Sequence, residues 1–199
     1  MTADPIEAVR AALDRPGRDT SDFDLNPEAS PGVGNPPRPA AVLVPLWRCA
    51  EGVRVILTKR SSRLRHHPGQ IAFPGGKIDA GDDGPVAAAL REAEEEIALD
   101  RGRVHLLGVM APHRTVTGFS VTPVVAAVEE SFVPRPEIGE VDEVFAVPLA
   151  HLMAPANYRV EGRIWLGQRR QYYTVPYGPY YIWGATARIL RALADRMGG

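Results

Sequence analysis

Residues 91–96 read Arg-Glu-Ala-Glu-Glu-Glu, four carboxylates crowded behind one guanidinium. On a helix, at about 100° per residue, Glu92, Glu95 and Glu96 share an arc of about 100°. Val86, Leu90, Ala93 and Ile97 form an adjoining apolar arc suited to a core, while Glu94 points elsewhere, into solvent. Like charges three or four positions apart cost about 0.2–0.5 kcal/mol per pair. A solvated acidic face would tolerate that. Three features argue for chemistry instead. The carboxylates border the apolar face, Arg91 can fix one of them through a bidentate contact, and the flexible pair Gly75-Gly76 lies just upstream. Hard cations such as Mg²⁺ take oxygen ligands, commonly a few carboxylates with substrate phosphates and waters. A carboxylate triad beside such a turn is how a helix would hold them.

The segment before the glycines has the opposite charge. Residues 59–70, KRSSRLRHHPGQ, carry Lys59, Arg60, Arg63, Arg65, His66 and His67. The adjacent histidines make a weak zinc site, because no cysteine or third histidine lies at ligand spacing. Cations for phosphates on one side and metal ligands on the other suit a diphosphate, whose charge metal and arginine neutralise together.

The elements that must position these groups follow from periodicity and turn chemistry. Residues 4–14 read as an amphipathic helix through Ile6, Val9 and Leu13. Residues 15–39, rich in Pro, Gly, Asp and Asn, read as an extended arm. Strands are expected at 41–48, 53–59, 104–110 and 120–128, with Pro123 marking an edge or an irregularity in the last. Gly84-Pro85 opens the acidic helix, with the proline suited to its first turn. Residues 129–141 form a loop containing Glu137 and Glu140, and 144–153 lead into a short helix. A hairpin turns around Gly167, and 182–197 close the chain as an amphipathic helix. The aromatic run at 172–183 either stacks on a base or fills the core; alternating tyrosines in strands favour the core. This order gives an α/β (α+β) class, helices packed on a mixed sheet.

Bulk composition bounds the rest. The 199 residues, 45% hydrophobic and 24% charged, suit one soluble domain with a real core. A formal net charge of −1 gives no global attraction to nucleic acid or to a membrane surface. The single cysteine, Cys49, excludes an intrachain disulfide. The acidic amino terminus lacks the apolar stretch of a signal peptide, and no run reaches the length of a membrane span. A cytoplasmic protein is expected, acting on a small molecule, with no nucleic-acid or membrane partner. A homodimer stays open.

With these residues in place, 76–99 resembles the Nudix box, which runs Gly, five residues, Glu, seven residues, Arg-Glu, an apolar residue, any residue, Glu-Glu, any residue, Gly, apolar. Gly76 is followed by five residues and Asp82, and REAEEEIAL (91–99) supplies the remainder. Asp82 stands for Glu, Ala98 stands for the closing Gly, and eight residues separate Asp82 from Arg91. LTKRSSRLRHHPGQIAFPGG (57–76) is similar to the additional motif of the coenzyme A diphosphatase branch, whose acidic loop is often longer. Residues 142–152 and 182–190 look like that branch as well, so the resemblance covers most of 40–195.

The resemblance implies a Nudix-type α/β/α sandwich around a mixed sheet over 40–199, with 1–39 as an amino-terminal helix and arm. It implies Mg²⁺- or Mn²⁺-dependent cleavage of coenzyme A to 3′,5′-ADP and 4′-phosphopantetheine. Glu92 and Glu96 are then metal ligands, Glu95 a further ligand or the base, and Arg91 the residue that orients them. Gly76 presents its carbonyl to the metal, Gly75 and Gly76 shape the substrate site, and Asp82 assists from the loop. Arg60, Arg63 and Arg65 are expected to bind substrate phosphates, including a 3′-phosphate. An additional base would come from Glu137, Glu140 or Glu143. ADP-ribose or a reduced dinucleotide are the alternative substrates, and a non-catalytic nucleotide-binding module is the alternative class.

Overall fold

The computed structural model describes residues 4–29, 36–165 and 167–198. Residues 1–3 and 30–35 of the expected arm, Leu166 beside the hairpin turn and Gly199 lie outside them. In chain order the elements are α1 (Pro5–Leu13), β1 (Thr20–Ser21), β2 (Arg38–Cys49), β3 (Gly52–Arg60), β4 (Ile71–Ala72), β5 (Gly75–Lys77), α2 (Gly84–Ile97), β6 (Val104–Val109), β7 (His113–Arg114), β8 (Phe119–Val128), β9 (Val141–Pro148), α3 (Leu149–Leu152), β10 (Arg159–Trp165), β11 (Gln168–Thr174) and α4 (Gly184–Met197).

Among the described residues nine strands form one mixed sheet, and β10 and β11 pair apart from it. The sheet's spine is the parallel pair of β2 and β8, in register from Arg38↔Phe119 to Trp47↔Val128. Both strands read as near-continuous apolar runs, as strands covered on two faces must. Successive side chains point to opposite faces. Ala41, Leu43, Ile56, Val124 and Ala126 therefore meet α2, through its Ala88, Ala89, Ala93 and Ile97. Val44, Leu46, Val55, Leu57 and Val125 meet the other layer, where Ile6 and Val9 of α1 join Ile189, Leu190 and Leu193 of α4. The architecture is an α/β/α sandwich, and the amino-terminal helix is part of its core. No helix among the described residues is long and apolar enough to cross a membrane.

Two irregularities position the site. Strands β2 and β3 pair only from Leu46↔Val55 to Cys49↔Gly52 and then splay. Residues 71–77 fill the wedge, β4 on β3 and β5 on β2. The glycine turn is thus inserted into the middle of the sheet, directly under α2. The second concerns Pro123. Strand β8 is central, paired with β2 on one side and with β6 and β7 on the other, so the expectation of an edge gives way to that of an irregularity. The Pro123 carbonyl accepts from Met110 N at 2.9 Å. Its missing N–H faces the same side, where β6 ends and β7 has not begun, so no ladder donor is lost.

Candidate active site

Helix α2 starts at Gly84 behind Asp83, with Pro85 in its first turn, and ends at Ala98 in the left-handed conformation, φ 57°. A glycine would adopt that φ freely; Ala98 pays a Cβ penalty there. The buried residues are Ala88, Ala89, Ala93, Glu96 and Ile97. The buried face is therefore rotated toward the glutamates relative to the apolar arc read from the sequence, and Val86 and Leu90 are only partly covered. Small alanines let the helix lie close on β2 and β5, which brings Glu96 inward. The loop after β8 closes over it from outside, Glu137 N donating to the Glu96 carbonyl at 2.9 Å and Arg135 N to that of Ile97 at 3.0 Å. Glu94 points away and pairs with Arg101 at 3.4 Å.

Arg91 is the hub. Its Nε and Nη2 donate to the two oxygens of Asp82 at 3.0 and 2.9 Å. Its Nη1 donates to Glu92 Oε1 and Glu95 Oε2, both at 3.1 Å, and Nη2 also reaches the Lys77 carbonyl at 3.1 Å. Asp82 further accepts from Asp79 N at 2.8 Å. The guanidinium, aided by that N–H, holds the Asp82 carboxyl down at about 2. Asp82 therefore acts through Arg91. The longer loop folds back beside the helix, and the shorter Asp reaches a guanidinium nine residues on.

The carboxylates sit in unequal surroundings. Glu96 is 6% exposed. Burial pushes its carboxyl up to about 7, opposed by the Gly75 N–H, with the negative charges of Glu92 and Glu140 adding to the rise and Arg60 opposing it. The Gly75 N–H donates to Oε2 at 3.3 Å. Glu92 is also raised, first by burial, with Arg91 pulling it back and Glu95 and Glu140 adding repulsion. Glu95 lies at the rim, its side chain 57% exposed. A Cβ on Gly76 would overlap the Glu92 carboxylate, and one on Gly75 would overlap the Ala41 carbonyl and Val42 backbone. Backbone contact and a φ of 155° together require Gly75, whereas at Gly76 a side chain would displace the Glu92 carboxylate.

Of the later glutamates, Glu140 is the one whose charge bears on both Glu92 and Glu96. Glu137 serves through its backbone. Glu143 accepts from the Tyr180 hydroxyl. Asp142 receives the Ser62 N–H at 2.8 Å, and Ser61 N donates to the Glu140 carbonyl at 2.8 Å. The basic loop is thereby tied to the same segment that carries Glu140.

Beyond Gly75 a cleft of about 360 Å³ opens, walled by Arg60, His67, Arg163, Arg170, Tyr172 and Trp183 among others. Arg60 stands where the cleft and the carboxylates meet. Arg63 and Arg65 are exposed on the 61–69 loop and do not line it. Of the aromatic run, Tyr177 and Tyr180 pack on the core as expected, Tyr173 packs on the core and also lines the cleft, and Tyr172 and Trp183 face the cleft. The hairpin arginines escaped the sequence reading. The observed register, 165 opposite 168, sets 163 opposite 170, whereas a turn centred on Gly167 would set 163 opposite 171. Asp22 and Asn26, from the arm, also line the cleft, and nothing in the local sequence marks them. Asn26 brackets Gln171, Nδ2 donating to its carbonyl and Oδ1 accepting from its N–H, both at 2.8 Å. Asp22 takes Val116 N at 2.9 Å and lies 3.1 Å from Nε2 of the buried His113.

Glu92 and Glu96 bring two buried carboxyl groups together with the charge of Glu140 bearing on both, which leaves a deficit of positive charge, and Glu96 holds its proton near neutrality. That deficit is what a divalent cation fills, so the residues fit one. Among the described residues no three acidic, histidine or cysteine side chains already stand in a ligand cluster. Glu95, engaged by Arg91 at the rim, joins Glu92 and Glu96 by turning inward on the same helical arc.

Comparison with known proteins identifies the family. The model of the NUDIX domain matches residues 36–173. A protein of Enterobacter sp. (strain 638) described as an uncharacterized Nudix hydrolase NudL is 42% identical over 182 residues, covering 87% of this chain and 90% of its own. Its namesake from Escherichia coli (strain K12) is 42% identical over 161 residues, 81% of this chain and 83% of its own. The solved structure of RenU, a Nudix hydrolase from M. smegmatis, superposes with a TM-score of 0.50 at 24% identity over 59% of this chain and 74% of that one, a likeness of fold. On the family model and on relatives of this identity and coverage, the chain belongs to the Nudix hydrolase family.

Proposed function

We propose that this Nudix hydrolase cleaves the diphosphate of coenzyme A, giving 3′,5′-ADP and 4′-phosphopantetheine. The observation that carries the reading is the continuity of one cleft from the buried carboxylates at Gly75 to an arginine-lined wall. A substrate with a diphosphate at one end and a phosphorylated nucleoside at the other has matching charge along its length.

Glu92, Glu96 and Glu95, with the Gly76 carbonyl, would hold Mg²⁺ or Mn²⁺. Such a cation, when bound, neutralises the diphosphate and lowers the pKa of a bound water. The chain's own groups do the rest. Arg91, locked by Asp82, keeps Glu92 and Glu95 in place. Arg60 offsets charge where cleft and carboxylates meet. Glu140 takes the proton of the attacking water. The water oxygen bonds to one phosphorus in line, the bridging P–O bond breaks, and the other phosphate leaves as a monoester. Positioning and electrostatics supply most of the acceleration.

The test is a substrate panel of coenzyme A, acyl-coenzyme A, ADP-ribose and NADH, each with Mg²⁺ and with Mn²⁺. Coenzyme A should give the highest kcat/KM, with 3′,5′-ADP as product. A higher value for ADP-ribose or NADH would reassign the substrate. Binding of nucleotide without turnover of any compound would favour a non-catalytic module.

A further inference from the structure

We propose that the outer edge of β10 is a dimerisation edge, which pairs antiparallel with β10 of a second copy of this chain about a twofold axis at Gly162. The inference is independent of the substrate. It rests on which way the hairpin's backbone groups point and on what the strand presents beside them.

The hydrogen bonds of β11 fix the bonding side of each residue. Gln171 donates its N–H to Asn26 Oδ1, and its carbonyl accepts from Asn26 Nδ2, both at 2.8 Å. Val175 N donates to the Ile182 carbonyl at 2.9 Å, beside the bridge between Thr174 and Trp183. Residues 171, 173 and 175 therefore turn their backbone groups away from β10, and 170, 172 and 174 turn theirs toward it. Opposite them, Arg159, Glu161 and Arg163 bond to β11, while Val160, Gly162 and Ile164 point their N–H and C=O groups outward. Among the described residues β10 pairs with β11 alone, and no other helix or strand runs beside it. Such an edge is a template for another strand, and a two-stranded unit gains most from one. The outward residues are also apolar and uncovered: Val160 is 49% exposed and Ile164 78%.

The order of side chains along the edge selects the second copy and one register. An axis at Gly162 sets residues 160, 162 and 164 opposite 164, 162 and 160 of the second copy, so each outward N–H and C=O meets a partner. Val160 then lies across from Ile164 of the second copy and covers it. Glu161 lies across from Arg163 of the second copy on both sides of the axis. Within each chain Arg163 keeps its place over the Trp183 ring and Glu161 keeps the Tyr181 hydroxyl at 2.8 Å. The register needs only that the facing charges differ in sign. A shift of two residues one way sets Glu161 against Glu161, and the other way Arg163 against Arg163, each a destabilising like pair. A slip of one sets an outward residue against an inward one and breaks the ladder. The pair closes as one sheet of two hairpins, whose inner halves carry the Arg163 walls of the two clefts.

Sedimentation velocity on the full chain tests this. A small interface of this kind suits a micromolar Kd, so the mass should rise from one chain toward two between about 1 and 300 µM. Over the same series the amides of Val160, Gly162 and Ile164 should gain protection from hydrogen exchange, and those of Glu161 and Arg163 should change less. Gly162→Pro removes an outward N–H and leaves the bonds to β11 in place; a Cβ there has only to displace the far end of Arg169. That variant should weaken the dimer at least about tenfold. Glu161→Arg and Arg163→Glu each set like charges across the axis and should be monomeric alone. Mixed one to one they set opposite charges across it, and the dimer should return. Circular dichroism confirms that each variant is folded. A parent that keeps the mass of one chain throughout overturns the proposal, as does a mass that grows past two. A dimer that Gly162→Pro leaves intact, or a mixture of the two charge variants that stays monomeric, overturns it as well.

Discussion

Replacing Glu96 by glutamine should stabilise the metal-free protein, and only at high pH. The carboxyl rests at about 7 in the fold against 4.5 unperturbed. At 1.36 kcal/mol per unit, ionising it in place costs roughly 3 kcal/mol. The side chain is buried, so solvent screening does not reduce this much. Between pH 4.5 and 7 the folded state binds more protons than the unfolded state, and stability falls as pH rises. Below 4.5 the penalty is absent, and above 7 it is complete. Glutamine carries no charge at any of these pH values. Its Oε1 can still accept from Gly75 N, and its amide can donate toward Glu92 or Glu140. Urea denaturation in EDTA, followed by circular dichroism, should give parent and E96Q similar stability at pH 4.5. The difference should grow to about 3 kcal/mol in favour of E96Q at pH 8. Mg²⁺ should stabilise the parent at pH 8 and E96Q far less, while E96Q loses turnover. A difference independent of pH, or one favouring the parent at pH 8, would refute the account of Glu96 as a strained, metal-ready carboxylate.

Three further outcomes follow from the same geometry. Ala98→Gly relieves a left-handed Cβ at an exposed position, worth about 1–2 kcal/mol, against a larger unfolded-state entropy. Urea midpoints should rise by a net of about 0.5–1 kcal/mol with kcat unchanged. Asp82→Asn removes a carboxylate held at about 2 by Arg91. Its stabilisation is present above about pH 4 and lost as pH falls toward 2, so acid unfolding followed by circular dichroism should flatten in that window. Activity should fall as Glu92 and Glu95 loosen. Asn26→Ala releases two backbone hydrogen bonds at Gln171 and should raise KM about three- to tenfold with kcat within about twofold; a fall in kcat alone would show that the hairpin is held by other means.

The chain displays its catalytic helix more openly than its specificity wall. Arg91 and the glutamates announce themselves because a crowded like-charge arc has few structural uses, and their spacing alone puts three of them on one side. The depth of Glu96 was not legible. It depends on how far α2 sinks, which three alanines allow and which the 129–141 loop completes from a distance in sequence. The sequence has Asp82 assisting from the loop, and its contacts with Arg91 show that it does so as an anchor. Of the three arginines in the basic loop Arg60 lines the cleft, while Arg63 and Arg65 stand exposed on a segment whose His67 turns back to it, a difference of side within one loop that composition does not encode. The cleft's far wall comes from an arm, a hairpin and a helix start far apart along the chain, with no local pattern to join them. Only the hairpin register, 165 opposite 168, pairs Arg163 with Arg170, and a glycine at 167 does not fix that register to the residue.

The crowded carboxylates at one end of the cleft give a prediction of changing sign. In the absence of metal the carboxylates repel the phosphates of any nucleotide in the cleft. Glu92→Gln removes one of those charges beside Gly76. At pH 8 in EDTA, E92Q should therefore bind 3′,5′-ADP several-fold tighter than the parent, since at an effective dielectric of about 20 a single charge a few ångströms away is worth kilocalories. With saturating Mg²⁺ the order should reverse, because the same side chain then contributes to holding the cation that attracts the phosphate. Ligand and metal affinities are linked, so Mg²⁺ should raise nucleotide affinity in the parent by the factor that nucleotide raises Mg²⁺ affinity, and this factor should shrink in E92Q. Calorimetry in both buffers reads all of it. A shift of the same sign with and without metal would mean that Glu92 acts on the nucleotide through packing rather than charge, and the electrostatic account of the cleft would fail.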